Sequence, residues 1–183
     1  MKKVLFLLLS TSYIFASNYK FNCHVPHNIM EAIKLTENAS RYPYYIRVNP
    51  SKKMKITNRR IDIFNKVANN YEHKRVSKYL LDCKNTRNCV NISNDLIQKG
   101  VRNLDLGLFQ INYGQFPDNL YKYFNHNEAY KKACSVLTEK IIYDGEWNWS
   151  VVADYHSRTP KLNRKYMKKV IRNYMKITNL SMR

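Results

Sequence analysis

The sequence has little of what interrupts a folded chain. Its 183 residues include four Gly and five Pro, too few for a Gly-rich or Pro-rich linker, and we find no internal repeat. These scarcities exclude a collagen-like or low-complexity chain. With 44% hydrophobic and 25% charged residues, the composition is instead that of a globular protein. The length corresponds to a single domain, which excludes a multi-domain machine.

Long apolar runs are also absent, except for one near the start. Residues 1–3 contribute two lysines, residues 4–9 form an apolar run, and Ala16 is a small residue at which a peptidase would cut. This order is typical of a secretory signal peptide, and the run is too short to span a bilayer comfortably. We expect a periplasmic mature chain of residues 17–183, a single domain without a transmembrane segment. The alternative is that residues 1–16 remain as a membrane anchor.

Acidic residues are scarce too. The 13 Asp and Glu are outnumbered by 32 Lys and Arg, which gives a formal net charge of +19. One interpretation is a solvated surface that follows from a Lys-rich composition, and the other is attraction to an anionic polymer or membrane. The basic residues do not form a stripe interleaved with aromatic residues, so we expect no specific nucleic-acid partner. A secreted basic nuclease or nucleic-acid binder is the alternative.

The four cysteines, Cys23, Cys83, Cys89 and Cys134, all follow the expected cleavage point. An even number in an exported chain is typical of disulfides, and four cysteines permit three pairings. Cys83 and Cys89 flank a short polar loop, so we favour a bridge between them and a second bridge from Cys23 to Cys134. A zinc site is the alternative, but neither a CxxC motif nor a nearby His pair supports it. We therefore predict no metal and no cofactor.

Hydrophobic spacing predicts a mainly α fold, because apolar residues recur every three or four positions in most segments. The predicted helices cover residues 25–41, 61–81, 90–99, 128–142, 150–155 and 162–177. Two short extended pieces, residues 45–49 and 55–57, are candidates for pairing, and residues 104–113 are expected to form a loop or turn. These segments together predict a mainly α domain with at most a small β-hairpin.

Glu37 is the first candidate for chemistry. It lies four residues after Ile33 and seven after Met30, on the apolar face of the first predicted helix. Loss of solvation on such a face raises the pKa of a carboxyl group, which can then hold a proton near neutral pH as a general acid must. The alternative is a carboxylate turned to solvent at the helix end, and Glu31 on the same helix is the rival candidate.

Two further stretches carry candidate binding groups. Residues 105–112 place Gly107 beside apolar side chains and a single Gln110 amide. Glycine lets a backbone come close to a ligand, and a Gln side chain can both donate to and accept from a sugar. Residues 153–160 contain Tyr155, whose phenol can hydrogen-bond a ligand or a carboxylate. The alternatives are a buried turn for the first stretch and a core tyrosine for the second.

Together the three stretches resemble the soluble lytic transglycosylase family, whose fold is lysozyme-like, of the goose type. Residues 32–37, with 42–49 after them, are similar to the family's catalytic-Glu motif and the segment that follows it. Residues 107–112, Gly-Leu-Phe-Gln-Ile-Asn, are similar to its Gly-Leu-Met-Gln-Ile motif. Residues 155–157, Tyr-His-Ser, resemble the variant of its third motif in small transglycosylases that accompany secretion and conjugation machines.

The resemblance covers most of the chain that follows the expected signal peptide, with three departures. Asn38 stands where the family usually has Ser, Phe109 replaces the Met of the second motif, and His156 stands where the third motif commonly has Asn. Asn38 still offers a hydrogen-bonding side chain and Phe109 an apolar wall. We therefore expect the departures to change substrate fit more than the chemistry.

The resemblance implies cleavage of the β-1,4 bond between N-acetylmuramic acid and N-acetylglucosamine in peptidoglycan. Glu37 would protonate the leaving oxygen and then take a proton from the sugar's 6-hydroxyl, while the N-acetyl oxygen assists, so that a 1,6-anhydro ring forms without water. Tyr155 would orient Glu37. The residues implied to bind the glycan are Gly107, Leu108, Gln110, Ile111, Asn112 and Tyr155. The alternatives are a lysozyme-type hydrolase and a non-catalytic wall-binding or secretion-scaffold protein.

Overall fold

A computed structural model describes residues 23–37 and 43–181, so the expected signal peptide lies outside the described residues. Within this part of the chain there are seven helices and five short strands, which confirms the mainly α prediction. The helices are α1 (His27–Glu37), α2 (Met54–Ala68), α3 (Thr86–Gln98), α4 (Tyr121–Phe124), α5 (His126–Asp144), α6 (Trp149–Ala153) and α7 (Pro160–Ser181). The strands are β1 (Tyr45–Val48), β2 (Lys74–Ser77), β3 (Leu80–Asp82), β4 (Leu104–Leu106) and β5 (Ile111–Asn112). None of these helices has both the length and the apolar composition needed to cross a bilayer.

The strands form one antiparallel sheet in the order β2-β3-β1-β4-β5. β1 lies at its centre, where Ile46 pairs with Leu81 on one side and with Leu106 on the other. All three side chains are fully buried, whereas the next residue, Arg47, is partly exposed because successive side chains alternate between the two faces of a strand. The β part is therefore a five-stranded sheet and extends beyond the hairpin that the sequence led us to expect.

The expected pairing of residues 45–49 with 55–57 is wrong. Thr57 lies in α2, and its hydroxyl accepts a hydrogen bond from the Ser51 amide (2.8 Å) and donates one to the Ser51 carbonyl (3.0 Å). These bonds turn the chain into α2 where a second strand was expected. β1 instead pairs with β3 and β4, which lie much later in the chain, because tertiary packing decides which strands pair.

The predicted helix over residues 61–81 is wrong beyond Ala68, where α2 ends. The chain then forms the β2–β3 hairpin. The Arg75 guanidinium of β2 lies 4.7 Å from the centroid of the Phe64 ring and donates to Asn65 Oδ1 at 2.6 Å. These contacts hold the hairpin against α2.

The C-terminal helix fixes the position of α1. The two helices pack along each other, with Met30 and Ile33 of α1 and Val170 of α7 fully buried. Burial of each such side chain contributes about 1.5–3 kcal/mol. Asn173 of α7 also donates a hydrogen bond to Thr36 Oγ1 (2.9 Å) in the last turn of α1. This packing holds the C-terminal end of α1 against the rest of the fold.

Two disulfides, Cys23–Cys134 and Cys83–Cys89, are present, and they are the pairing that we favoured. The first joins the segment before α1 to α5, and the second joins the end of β3 to α3. Their sequence separations are 111 and 6 residues. Closing loops of these lengths stabilises the folded state by about 5 and about 2 kcal/mol. The long-range bridge is therefore the stronger constraint on the position of α1.

Candidate active site

One cavity brings the three sequence stretches together. It has a volume of about 250 Å³ and lies between the end of α1, the β4–β5 hairpin and the turn after α6. Its polar lining consists of Glu37, Asn49, Asn103, Asp105, Gln110, Asn112, Gln115, Tyr155 and His156. The three candidates Glu37, Gln110 and Tyr155 are thus neighbours in space although they lie far apart along the chain.

Glu37 is the last residue of α1, and its side chain is only 7% exposed. Its Oε1 atom is buried and lies 3.5 Å from Nδ1 of His156. The rival carboxylate Glu31 forms an ion pair with Lys34 on the same helix and does not line the cavity. Helical spacing explains the difference, since Glu37 lies one turn after the fully buried Ile33 on the same face.

His156 is the ionisable partner of Glu37. Its ring stacks on the Tyr166 ring with 4.7 Å between the centroids and 2° between the planes. The hydrogen bond to Glu37 raises the pKa of His156 above its ordinary value, although burial acts in the opposite direction. The sequence placed His156 in a motif but indicated no role for it, because only the fold brings it to the end of α1.

Two tyrosines lie beside Glu37. Burial, followed by the negative charge of Glu37, holds the pKa of Tyr155 and Tyr166 well above the ordinary value of a phenol, so both keep their protons. The Tyr155 hydroxyl donates to the backbone carbonyl of Phe109 at 3.0 Å. Tyr155 therefore fixes the turn between β4 and β5, and its expected part in orienting or hydrogen-bonding Glu37 stays a prediction. Tyr166, which the sequence left without a role, supports the His156 ring.

Gly107 holds that same turn in a conformation that only glycine fits. Its φ of +70° lies in the left-handed region, and a Cβ atom there would lie 1.8 Å from the backbone oxygen of Tyr123. The Gly107 amide donates to the Tyr45 carbonyl (2.8 Å), and its carbonyl accepts from Gln110 Nε2 (2.8 Å). The group that requires glycine here is therefore the protein's own backbone, and a role of the Gly107 backbone in holding the glycan stays a prediction.

Gln110 presents an unused acceptor at the cavity. The residue is 6% exposed and has a φ of +47°, which is uncommon for a residue other than glycine. Its Nε2 is bonded to the Gly107 carbonyl, but its Oε1 is buried without a hydrogen-bond partner among the described residues. Leaving such an acceptor unpaired costs about 1–3 kcal/mol. A ligand that donates a hydrogen bond to this atom would recover that cost.

The other residues that we expected to bind the glycan differ in their access. Ile111 and Asn112 line the cavity, whereas Leu108 packs against the hydrophobic core. Asn112 Nδ2 donates to Asp105 Oδ1 (2.7 Å) and to Asn103 Oδ1 (2.8 Å). The Asn112 amide therefore organises the polar wall of the cavity.

Asp105 is a second carboxylate in the same cavity, and we predicted no role for it from the sequence. Burial raises the pKa of Asp105 most; hydrogen bonds from Asn112 and Asn49 oppose this effect, and the charge of Glu37 adds to it. Asp105 lies in β4 between two fully buried leucines, so its side chain points to the opposite face of the strand. That alternation is the signal that could have identified it.

Among residues 23–37 and 43–181, no group of three or more His, Cys, Asp or Glu side chains is arranged to hold a metal ion. No protein-family model, curated protein or solved structure matches the chain.

Proposed function

We propose that the protein is a lytic transglycosylase that cleaves the glycan strands of peptidoglycan. One observation carries the proposal: Glu37, Gln110 and Tyr155, from the three stretches with the resemblance, line a single cavity. The carboxylate is almost fully buried at the end of α1, as a general acid requires.

In the proposed reaction, Glu37 donates its proton to the glycosidic oxygen that leaves the N-acetylmuramic acid. The N-acetyl oxygen of the same sugar stabilises the anomeric carbon, so no second carboxylate is needed. Glu37, now ionised, takes the proton of the 6-hydroxyl, and this oxygen forms the new bond to the anomeric carbon. The products are a free 4-hydroxyl and a 1,6-anhydro end, and no water is consumed.

The neighbours of Glu37 have distinct parts in this reaction. Gln110 Oε1 accepts a hydrogen bond from the bound sugar, because it belongs to a residue that lines the cavity and lacks a partner among the described residues. Nδ1 of His156, 3.5 Å from Oε1 of Glu37, stabilises the ionised form that Glu37 takes after it has donated its proton. Tyr155 holds the turn that carries Gln110 through its bond to the Phe109 carbonyl.

A lysozyme-type hydrolase is the second candidate, and Asp105 is the observation that favours it. Hydrolases of glycosidic bonds use a pair of carboxyl groups, one as the acid and the other as a nucleophile or as the base for water. Asp105 and Glu37 line the same cavity, and Glu37 is close enough to Asp105 for its charge to raise the pKa of Asp105. In this reaction the products would carry reducing ends.

Digestion of purified sacculi followed by mass analysis of the released muropeptides tests the proposal. We expect 1,6-anhydro ends from the wild type and none from Glu37→Gln. Glu31→Gln is the matched control, since it makes the same change on the same helix outside the cavity. Reducing ends that disappear in Asp105→Asn identify a hydrolase. Binding to sacculi without any released product identifies a non-catalytic wall-binding or scaffold protein.

The two disulfides are typical of a protein exported to an oxidising compartment. We infer that this compartment is the periplasm and that the enzyme opens the wall for a secretion or conjugation apparatus. Cell fractionation and N-terminal sequencing test the location, and processing after Ala16 is the expected result. Cytoplasmic protein with an intact N-terminus would contradict it.

A further inference from the structure

A second, larger cavity adjoins the catalytic cavity. Its volume is about 570 Å³, and it lies between α5 and the turn that follows α6. The two cavities share four lining residues, which are Gln115, Phe116, Tyr155 and His156. The two cavities are therefore direct neighbours, separated by side chains that belong to the walls of both.

Lys140 brings a positive charge to the second cavity. Its side chain is half-buried, and the ammonium lies 5.7 Å from the centroid of the Phe116 ring. Burial, and then the positive charge of Arg158, lowers the pKa of Lys140, whereas the negative charges of Asp154, Glu139 and Asp144 act in the opposite direction. Among the described residues no carboxylate forms an ion pair with it, whereas Lys131 and Lys132 on the same helix are paired with Glu128 and Asp118.

The other charged groups at this cavity are already engaged or lie at its rim. Arg158 Nε lies 3.5 Å from Asp154 Oδ2, and the guanidinium is 4.2 Å from the centroid of the Tyr143 ring. Asp154 also accepts a hydrogen bond from Asn163. Glu139 is exposed. Unlike Arg158, Lys140 is thus a basic group at this cavity without an ion-pair partner among the described residues.

The proposed substrate supplies such a ligand next to the bond that is cleaved. In peptidoglycan the peptide stem is attached to the same N-acetylmuramic acid whose glycosidic bond breaks. The stem carries carboxylates, whereas the sugars of the strand are neutral. A stem that leaves the catalytic cavity must therefore enter a neighbouring space, and a carboxylate there would pair with a partly desolvated ammonium.

We propose that the second cavity binds the peptide stem of the substrate and that Lys140 pairs with one of its carboxylates. The inference rests on the proposed function, and it adds that the enzyme prefers glycan that carries peptide. Tyr143 and Phe116 supply the apolar walls for the side chains of the stem.

The test compares sacculi with the same glycan strands after an amidase has removed their peptides. The amidase leaves a lactyl carboxylate on each N-acetylmuramic acid, so the stripped strands keep a charge at the sugar but lack the carboxylates of the stem. We expect the wild type to cleave the peptide-bearing strands with the higher kcat/KM. Lys140→Gln should lower kcat/KM on these strands about tenfold, the size expected for one charge-assisted hydrogen bond, and leave cleavage of the stripped strands unchanged. Lys131→Gln removes the same charge from the same helix outside this cavity and should change neither value.

Other outcomes separate the inference from the proposed function. A loss that is equal on both substrates, or no loss on either, overturns the role of Lys140 while the activity stands. If the wild type cleaves neither substrate, the proposed function fails, and calorimetry with a disaccharide that carries its peptide stem tests the site alone. Binding that weakens in Lys140→Gln supports the site, and equal binding or none overturns it. Equal melting temperatures of the variants show that the fold is intact.

Discussion

Replacement of Gly107 by Ala tests how the turn beside the cavity is built. The φ of +70° is left-handed, which costs a residue with a Cβ atom about 1–2 kcal/mol. The new Cβ atom would also meet the Tyr123 oxygen at 1.8 Å, so the backbone must shift. Overpacking of this kind costs about 1–3 kcal/mol. We therefore expect Gly107→Ala to lower the free energy of unfolding by about 3 kcal/mol.

Gly100 offers a matched control for this prediction. Its φ is +81°, but a Cβ atom there would meet nothing within 4 Å. Gly100→Ala should therefore carry only the backbone cost, about 1 kcal/mol. The difference of about 2 kcal/mol corresponds to about 4–8 °C in melting temperature for a chain of this size. Urea unfolding measures both variants, and equal destabilisation would refute the contact with Tyr123 as the reason for glycine at position 107.

Two further predictions concern the histidine at the cavity and the disulfides. Because Glu37 raises the pKa of His156, the pair stabilises the fold below the ordinary pKa of histidine, and this stability is lost as the pH rises through the raised pKa. In an NMR titration, Glu37→Gln should lower the titration midpoint of His156 toward about 6.5. An unchanged midpoint would contradict the pairing. Replacing Cys23 and Cys134 together by serine should lower the free energy of unfolding by about 5 kcal/mol, and replacing Cys83 and Cys89 together should lower it by about 2 kcal/mol. Equal losses would contradict the dependence on loop length.

The helices that the sequence predicted well are those with a long amphipathic period. α5 and α7 occur where apolar residues repeat at helical spacing, and the structure extends each by a few residues. The predictions for residues 55–57 and 69–81 are wrong because short apolar segments fit a helix and a strand equally well. Their state is decided by distant partners, such as the pairing of β3 with β1.

The residues of the candidate site also differ in whether local spacing or distant parts of the chain determine their surroundings. Glu37 could be predicted to point inward because its helix face is fixed by local spacing, and the structure brings it to the cavity with Gln110. Asp105 and His156 acquire their surroundings only when the sheet and the turn after α6 meet the end of α1. The need for glycine at position 107 could not be derived from the sequence, since the Tyr123 carbonyl that lies close to it belongs to a distant segment of the chain.

The central claim is that Glu37 drives an attack by the sugar's own 6-hydroxyl and that water takes no part. Digestion of sacculi in ¹⁸O-labelled water, followed by mass analysis, measures this directly. We expect 1,6-anhydro ends without label from the wild type, and a cleavage rate that falls by about 10²–10⁴-fold in Glu37→Gln. Reducing ends that carry ¹⁸O, or an unchanged rate in Glu37→Gln, would contradict it.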